Sequence, residues 1–306
     1  MTKYGACKSC GANDYEYIAP YRGFENIDLA TCRQCGLMQA QPIPSADFLK
    51  RFYEDEFGKD PLCGAHSGED NEPGFRRRAL LQFDSVKKIF RLNGKTGKIL
   101  DVGCHAGSFL SLFKERGWEV VGLDPNPRAA WAEKWYGIKV QAGMFEKGLF
   151  KENTFDAILH SHVLEHVPDP KSVLQEFCHI LKPGGWVFIE VPNETLFTVK
   201  TGSIKPHLYF FSASTLRRLA ESAGFEVVAV KTLGIGARRS KLWSRESLKW
   251  LKRRWRARYN ARGRLNLFTF MPFFGRLFKE DRYFREAGPD GVMLRIYLRK
   301  PGLSKL

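Results

Sequence analysis

The stretch KILDVGCHAGSFL, residues 98–110, contains a short apolar run that ends in an acid and a glycine, and a second glycine precedes a new apolar segment. The run KILDV predicts a buried strand, and GSFLSLFKERG, residues 107–117, predicts the helix that follows it. Glycine lets a backbone turn sharply and approach a ligand closely. Residues 98–110 therefore predict a strand, a ligand-binding loop and a helix.

The same alternation continues along the chain. Further strands are predicted for EVVGLD (119–124), IKVQ (138–141), FDAILH (155–160), WVFIEVP (186–192), FEVVAVKTL (225–233) and VMLRIYLR (292–299). Helices are predicted for PRAAWAEKWYG (127–137), DPKSVLQEFCHILK (169–182) and SASTLRRLAESAG (212–224). Strands separated by helices imply a mostly parallel sheet covered on both faces. We predict a doubly wound α/β domain that binds its ligands at the carboxyl ends of the strands.

Several motifs together make this region resemble the class I S-adenosylmethionine-dependent methyltransferases, over roughly residues 80–235. They are DVGCHAG (101–107), FDAILHSHVLEHVPDP (155–170), HILKPGGWVFIEVPN (179–193) and HLYFFSASTLRRLAESAGFEV (207–227). The resemblance implies a Rossmann-like sheet of seven strands, in which the last strand runs against the others. It also implies an enzyme that takes a methyl group from S-adenosyl-L-methionine.

The resemblance assigns cofactor-binding roles by position. Gly103 and Gly107 would face the methionyl part, Asp101 would anchor their loop, and Asp124 would hold the two ribose hydroxyls. The other residues of the cofactor-binding set are Met144 and Phe145, where relatives enclose the adenine, and His160 at the end of the fourth strand. His105 stands at the usual middle glycine, and we interpret it as a tolerated variation at a position that accepts a suitable φ.

Histidines supply the candidate catalytic residues. Transfer of a methyl group to an acidic acceptor needs a base with a near-neutral pKa, which suits histidine. His166 follows the fourth predicted strand, and His207 follows the fifth, so both are expected at the carboxyl edge of the sheet. Glu165 and Tyr209 are weaker candidates.

Four cysteines near the start of the chain form two Cys-x2-Cys pairs, CKSC (Cys7 and Cys10) and CRQC (Cys32 and Cys35). This spacing is typical of a four-thiolate zinc site, since two sulfurs of each pair can reach one tetrahedral ion. With four protein ligands the Zn²⁺ would be structural rather than catalytic.

The net charge of +16 is concentrated in one segment. Residues 236–288 contain 16 Lys and Arg against 4 Asp and Glu, a net of +12, interspersed with aromatic residues. Three interpretations stay open: a folded lid, a peripheral contact with an anionic membrane through residues 238–284, and binding of nucleic acid or an anionic sugar nucleotide. Nucleic acid is the less favoured partner, because HSHVLEH (160–166) replaces the N-P-P-Y/F-type motif of base-amine methyltransferases.

The predicted organisation has five parts. They are a zinc ribbon (1–42), a linker or lid with a lead-in helix (43–94), the methyltransferase domain (95–235), the basic aromatic insertion (236–290), and the last strand and tail (291–306). A polar start and the lack of a long apolar run predict a cytoplasmic protein. Peripheral location on the inner face of the membrane is a second possibility.

The ribbon and domain together resemble methyltransferases of sugar and surface-polysaccharide pathways, through CRQCGLMQAQPIPS (32–45) and FYEDEF (52–57). We therefore expect O- or C-methylation of a sugar or other small-molecule acceptor. The alternatives are a ubiquinone-type O-methyltransferase at the membrane surface, a zinc-ribbon ribosomal RNA methyltransferase, and a non-catalytic binding module. The sequence leaves the oligomeric state open.

Overall fold

The computed structural model describes residues 4–21, 26–52, 72–194, 207–234 and 291–302. The basic aromatic insertion, and with it the predicted membrane contact, lies outside the described residues. So do residues 53–71 of the predicted linker or lid.

The larger sheet confirms the predicted seven-stranded α/β fold. Its strands are β4 (Lys98–Val102), β5 (Glu119–Asp124), β6 (Val140–Ala142), β7 (Phe155–Ser161), β8 (Leu181–Pro192), β10 (Glu226–Leu233) and β11 (Met293–Arg299). Their spatial order is β10-β11-β8-β7-β4-β5-β6. The five strands β4 to β8 are parallel, and β11 runs antiparallel to both of its neighbours. The strand order changes direction between β4 and β7, which is where this fold class forms its ligand crevice.

Helices cover both faces of this sheet. They are α2 (Glu72–Ile89), α3 (Ser108–Lys114), α4 (Ala130–Tyr136), α5 (Pro170–Ile180) and α6 (Ala213–Ser222), and the short helix α1 (Ala46–Arg51) precedes them in the chain. Helix α6 begins with a capping box, in which the side chains of Ser212 and Thr215 each bond the backbone N–H of the other. Asp169 caps the N-terminus of α5, where its carboxylate accepts from the Ser172 N–H at 3.0 Å.

The hydrophobic core has two parts, because successive side chains along a strand point to opposite faces of the sheet. Ile99, Leu159 and Phe188 face one side, where they pack with residues of α2 and α3. Leu100 and Ile158 face the other side, where they pack with α5 and α6. Both faces are therefore buried, as the nearly continuous apolar runs of the parallel strands require.

The cysteine pairs flank the strands of a second, four-stranded sheet. Its strands are β1 (Tyr15–Pro20), β2 (Asp28–Cys32), β3 (Met38–Gln41) and β9 (Tyr209–Phe210), in that order. The first three belong to the segment predicted as a zinc ribbon, but β9 comes from the methyltransferase part of the chain. Apolar residues of this sheet join the core on the α5 and α6 side. The ribbon is thus packed against the α/β domain, with which it shares a sheet.

Candidate active site

The loop between β4 and α3 turns through three residues with left-handed backbone angles. Gly103, His105 and Gly107 have φ of +79°, +48° and +72°. A Cβ on Gly103 would lie 2.2 Å from the Val163 side chain, and one on Gly107 would lie 2.7 Å from that of Ala132. Both glycines are therefore required by backbone angle and by close approach. The left-handed φ also explains how histidine occupies the position between them, although such an angle is uncommon outside glycine.

This loop lies at the point where the strand order reverses. It follows β4, and Val163, against which Gly103 packs, follows the neighbouring strand β7. The segments that carry the predicted cofactor residues and the predicted catalytic residues therefore meet at the carboxyl edge of the sheet.

Asp124 closes the other side of the loop. Its Oδ2 accepts the His105 backbone N–H at 2.7 Å, and its Oδ1 accepts the Asn126 backbone N–H at 2.8 Å. Burial raises the pKa of Asp124, and these two N–H groups partly offset the rise. Because each carboxylate oxygen can accept more than one hydrogen bond, both can still bind the hydroxyls of a ribose. The donor and acceptor set fits the predicted cofactor.

Asp101 lies deeper, at the end of β4. It is 3% exposed, and burial together with the nearby Asp124 carboxylate raises its pKa well above the ordinary value. A carboxyl so enclosed is not expected to contact a ligand, and its role in anchoring the loop stays a prediction.

Met144 and Phe145 follow β6 at the same edge of the sheet and are half-buried. The Phe145 ring packs edge-on against Phe177 of α5, with centroids 5.0 Å apart. Glu146, the only acid in this stretch, is exposed. Phe145 is thus fixed against the domain, where it can form one wall of an adenine pocket.

The structure argues against the assignment of His160 to the cofactor-binding residues. The side chain is fully buried within β7, where its Nδ1 lies 3.1 Å from the Val102 carbonyl oxygen and its ring packs on Phe177. Burial lowers the pKa of His160 to about 4, so the ring is neutral. The position of His160 after an apolar run suggested that its side chain lies in the ligand crevice. Its place in β7 instead directs the side chain into the core.

The structure brings the two candidate catalytic histidines together. The rings of His166 and His207 are 4.8 Å apart between centroids. His207 Nδ1 lies 2.9 Å from Glu194 Oε2, and both side chains are buried. We assign the proton to Nδ1, so that the carboxylate orients the imidazole and its Nε2 remains an acceptor. Glu194, which no sequence motif indicated, is therefore a functional candidate.

Glu165 adds a second carboxylate to this group. It is 1% exposed, and its Oε1 lies 3.5 Å from His162 Nδ1 and 3.9 Å from His166 Nε2. Burial alone would raise the pKa of Glu165, but the imidazoles of His162, His166 and His207 lower it to about 2. Glu165 is therefore ionised. We refer to Glu165, His166, Glu194 and His207 as the histidine–carboxylate group.

His162 links this group to a network behind it. Its φ is +57°, and its Nε2 lies 3.3 Å from Oε1 of the fully buried Glu190. Glu190 also accepts from Arg78, Gln82 and Arg295 at 2.8, 2.9 and 2.5 Å. These arginines and His162 lower the pKa of Glu190 well below its ordinary value, despite its burial. In the sequence, this network is indicated by one charged residue within each of two apolar segments. These residues are Glu190 in FIEV and Arg295 in LRIY.

The cysteine sulfurs are brought together as the spacing predicts. The Sγ atoms of Cys7 and Cys35 are 3.6 Å apart, as are those of Cys10 and Cys32. A tetrahedral zinc ion with Zn–S bonds of about 2.3 Å separates its sulfurs by about 3.8 Å. The four thiols thus fit such an ion. A second set with metal-binding spacing is Glu165, His166 and His207, whose donor atoms lie within 4.8 Å of one another.

Comparison with known proteins gives the family. A family model described as a methyltransferase domain matches residues 74–230, just over half of the chain. The chain belongs to this family. The match begins within α2 and ends within β10, so it includes the Gly103 loop, the histidine–carboxylate group and strands β4 to β8, but neither β11 nor the segment predicted as a ribbon. The prediction of an S-adenosylmethionine-dependent methyltransferase is confirmed at this level.

Curated relatives share the same region. The human mitochondrial ubiquinone biosynthesis O-methyltransferase is 35% identical over 157 residues, which cover 44% of this chain and 42% of the human protein. Its counterpart from Nitrosospira multiformis is 30% identical over 170 residues, covering 49% and 70%. The chain thus spans less than half the length of the human relative.

Among solved structures, the Burkholderia thailandensis 1,6-didemethyltoxoflavin-N1-methyltransferase aligns with a TM-score of 0.52. The alignment covers 94% of this chain and 99% of the Burkholderia protein. Because the sequence identity is only 15%, the similarity concerns the fold. Among the described residues, no helix has both the length and the apolar character needed to cross a bilayer.

Proposed function

We propose that this protein transfers a methyl group from S-adenosyl-L-methionine to a hydroxyl group of a small-molecule acceptor. The observation that carries the proposal is the buried Glu194–His207 pair, in which a carboxylate orients an imidazole at the carboxyl edge of a methyltransferase domain. S-adenosylmethionine, when bound, supplies an electrophilic methyl group on its sulfonium sulfur.

The residues proposed to hold the cofactor lie around the Gly103 loop. Asp124 accepts hydrogen bonds from the ribose hydroxyls, and Phe145 with Met144 encloses the adenine. The backbone at Gly103 and Gly107 would lie beside the methionyl part, and the buried Asp101 would keep their loop in place. The support for these roles is the loop geometry and the half-satisfied Asp124 carboxylate.

His207 acts as the general base in this proposal. Its Nε2 accepts the hydroxyl proton of the acceptor as the acceptor oxygen becomes nucleophilic, and Glu194 stabilises the imidazolium that forms. His166, with Glu165 beside it, provides a second imidazole for orienting the hydroxyl group. Much of the remaining rate enhancement would come from holding the reactants together in a site from which water is excluded.

The acceptor class is proposed from the relatives. Both curated relatives named above are O-methyltransferases of ubiquinone biosynthesis, which favours an amphipathic phenol as acceptor. A sugar hydroxyl is the second candidate, favoured by the four-cysteine ribbon and its resemblance to sugar-pathway enzymes. We further propose that the four cysteines hold a structural zinc ion.

The test is a turnover assay on the full chain with two acceptor sets, isoprenoid-substituted phenols and nucleotide-linked sugars. We expect S-adenosylhomocysteine to accumulate with the phenols. His207→Gln should lower kcat about 10²- to 10⁴-fold, the usual contribution of a general base. His166→Ala should also lose most turnover. In both variants the Kd for S-adenosylhomocysteine should stay within about twofold.

His179→Gln is the matched control, because this histidine lies exposed on α5. If only the nucleotide sugars were methylated, the acceptor would be a sugar and not a phenol. The role of His207 as the base could then be tested with the sugar acceptor. Unchanged kcat in His207→Gln would remove His207 from the mechanism whichever acceptor is used.

A further inference from the structure

The ribbon (described residues 4–21 and 26–41) is joined to the active site by strand pairing. Strand β9 lies beside β3, with Tyr209 opposite Gln39 and Phe210 opposite Met38. The Ala40 N–H also donates to the Leu208 carbonyl at 2.8 Å. Because β9 begins two residues after His207, the last strand of the ribbon fixes the backbone from which the proposed base projects.

The opposite side of this backbone is held by the segments that carry the other members of the histidine–carboxylate group. The Leu208 N–H donates to the Glu165 carbonyl at 2.8 Å, and the Glu194 N–H donates to the Phe211 carbonyl at 3.1 Å. Residues 208–211 are all buried. The position of His207 therefore depends on contacts from both sides, and one side is the ribbon.

One ribbon side chain lies beside the segment that contains His207. Tyr21 is 8% exposed, and its ring packs edge-on against Phe210 with centroids 5.9 Å apart. Its phenol oxygen is within hydrogen-bonding reach of the His207 backbone, and its surroundings include the Glu194 carboxylate. Tyr21 thus reaches the segment that bears the proposed base.

The cysteine centre is anchored on the same side. Arg218 of α6 donates from Nη1 to the Cys35 carbonyl oxygen at 3.1 Å, and Cys35 is three residues from β3. Folding of the second cysteine pair is therefore coupled to β3, and β3 is coupled to β9.

We propose that the four-cysteine ribbon is a working part of the acceptor site, in which β3 and Tyr21 position His207 for proton transfer. This inference rests on the proposed role of His207 as the base. Tyr21 is a positioning residue, since it acts through His207. A metal ion held by the cysteines would then control turnover without contacting the substrate.

The first test compares Tyr21→Phe with Tyr17→Phe, a matched change on the ribbon at a side chain that is 51% exposed. Tyr21→Phe keeps the ring against Phe210 and removes only the hydroxyl. Loss of one hydrogen bond of about 1 kcal/mol predicts a fall in kcat of about five- to tenfold. The Kd for S-adenosylhomocysteine should not change. Equal kcat in the two variants would overturn the role of Tyr21.

The second test follows hydrogen exchange of the full chain before and after metal removal by a chelator. We expect faster exchange in residues 207–211, unchanged exchange in residues 98–110, retained S-adenosylhomocysteine binding, and recovery when Zn²⁺ is returned. Unchanged exchange in residues 207–211 would show that the ribbon does not position His207. If His207→Gln retained full activity, the proposed function would fail, and this exchange experiment would still measure the coupling separately.

Discussion

Glu190 and Glu165 are both fully buried carboxylates near the carboxyl edge of the sheet, but their surroundings differ. Glu190 accepts from two arginines and a glutamine. Glu165 makes no hydrogen bond to the described residues through its carboxylate, and its nearest partners are two imidazoles at 3.5 and 3.9 Å. A buried carboxylate whose hydrogen-bonding capacity is filled has a structural role. A buried carboxylate without hydrogen bonds, beside titratable groups, indicates a functional site. His162 lies between the two.

The largest expected effect concerns Glu190. Arg295→Met removes the guanidinium that lies 2.5 Å from Glu190 and is itself 2% exposed. Breaking a buried ion pair by removing one partner costs about 3–5 kcal/mol. Chemical denaturation of the wild type and the variant should show this loss in the free energy of unfolding.

Arg299→Met is the control for that experiment, since Arg299 lies exposed at the end of the same strand. Its effect should stay below about 1 kcal/mol. A loss for Arg295→Met no greater than for Arg299→Met would mean that Glu190 does not depend on its guanidinium partner.

A smaller effect is expected for Glu165 and depends on pH. Its pKa is about 2 in the folded protein against 4.5 ordinarily, so its contribution to stability is complete above pH 4.5 and is lost as the pH falls toward 2. The full contribution corresponds to about 3 kcal/mol. Glu165→Gln should therefore make the acid loss of stability shallower over this range, as measured by urea denaturation at several pH values.

Glu146→Gln is the matched comparison, since it makes the same chemical change at an exposed position. Glu190, whose pKa is also lowered, would account for acid sensitivity that remains in Glu165→Gln. An identical slope in wild type and Glu165→Gln would contradict the ionised state of Glu165.

The smallest effect is expected in the Gly103 loop. His105→Gly relieves a left-handed φ that costs a non-glycine residue about 1–2 kcal/mol. It also loses the ring contact with Phe75 at 5.0 Å and increases the freedom of the unfolded chain, which costs about 0.5–1 kcal/mol. These terms nearly cancel, so stability should change by less than about 1 kcal/mol. Calorimetry should also show retained S-adenosylhomocysteine binding, and its loss would indicate a specific role for His105.

The main sheet was predictable because its strands are local apolar runs. The prediction for EVVGLD, residues 119–124, coincides with β5, and that for KILDV coincides with β4. The predicted WVFIEVP is only the last part of β8, because Leu181 already pairs with Phe155 ahead of the glycine turn. The hydrophobic periodicity that predicts a helix or a strand can be detected within a short stretch of sequence.

The active site was only partly predictable, because its geometry depends on distant pairings. His166 and His207 were identified as chemically suitable residues, but Glu194 became visible only through its 2.9 Å contact with His207. The two-residue strand β9 has no periodicity to detect, and its partner β3 lies some 170 residues earlier. His160 and His166 are six residues apart, and only the strand geometry distinguishes the core histidine from the site histidine.

The pairing of β3 with β9 also has a consequence for the order of events during synthesis. Residues 38–41 leave the ribosome long before residues 209–210, so the ribbon can gather its cysteines while one edge of β3 is still open. An open edge is a template for pairing with other chains, and distant pairings close slowly. A nascent chain whose cysteines have come together therefore remains prone to association through this edge until the segment after β8 has emerged.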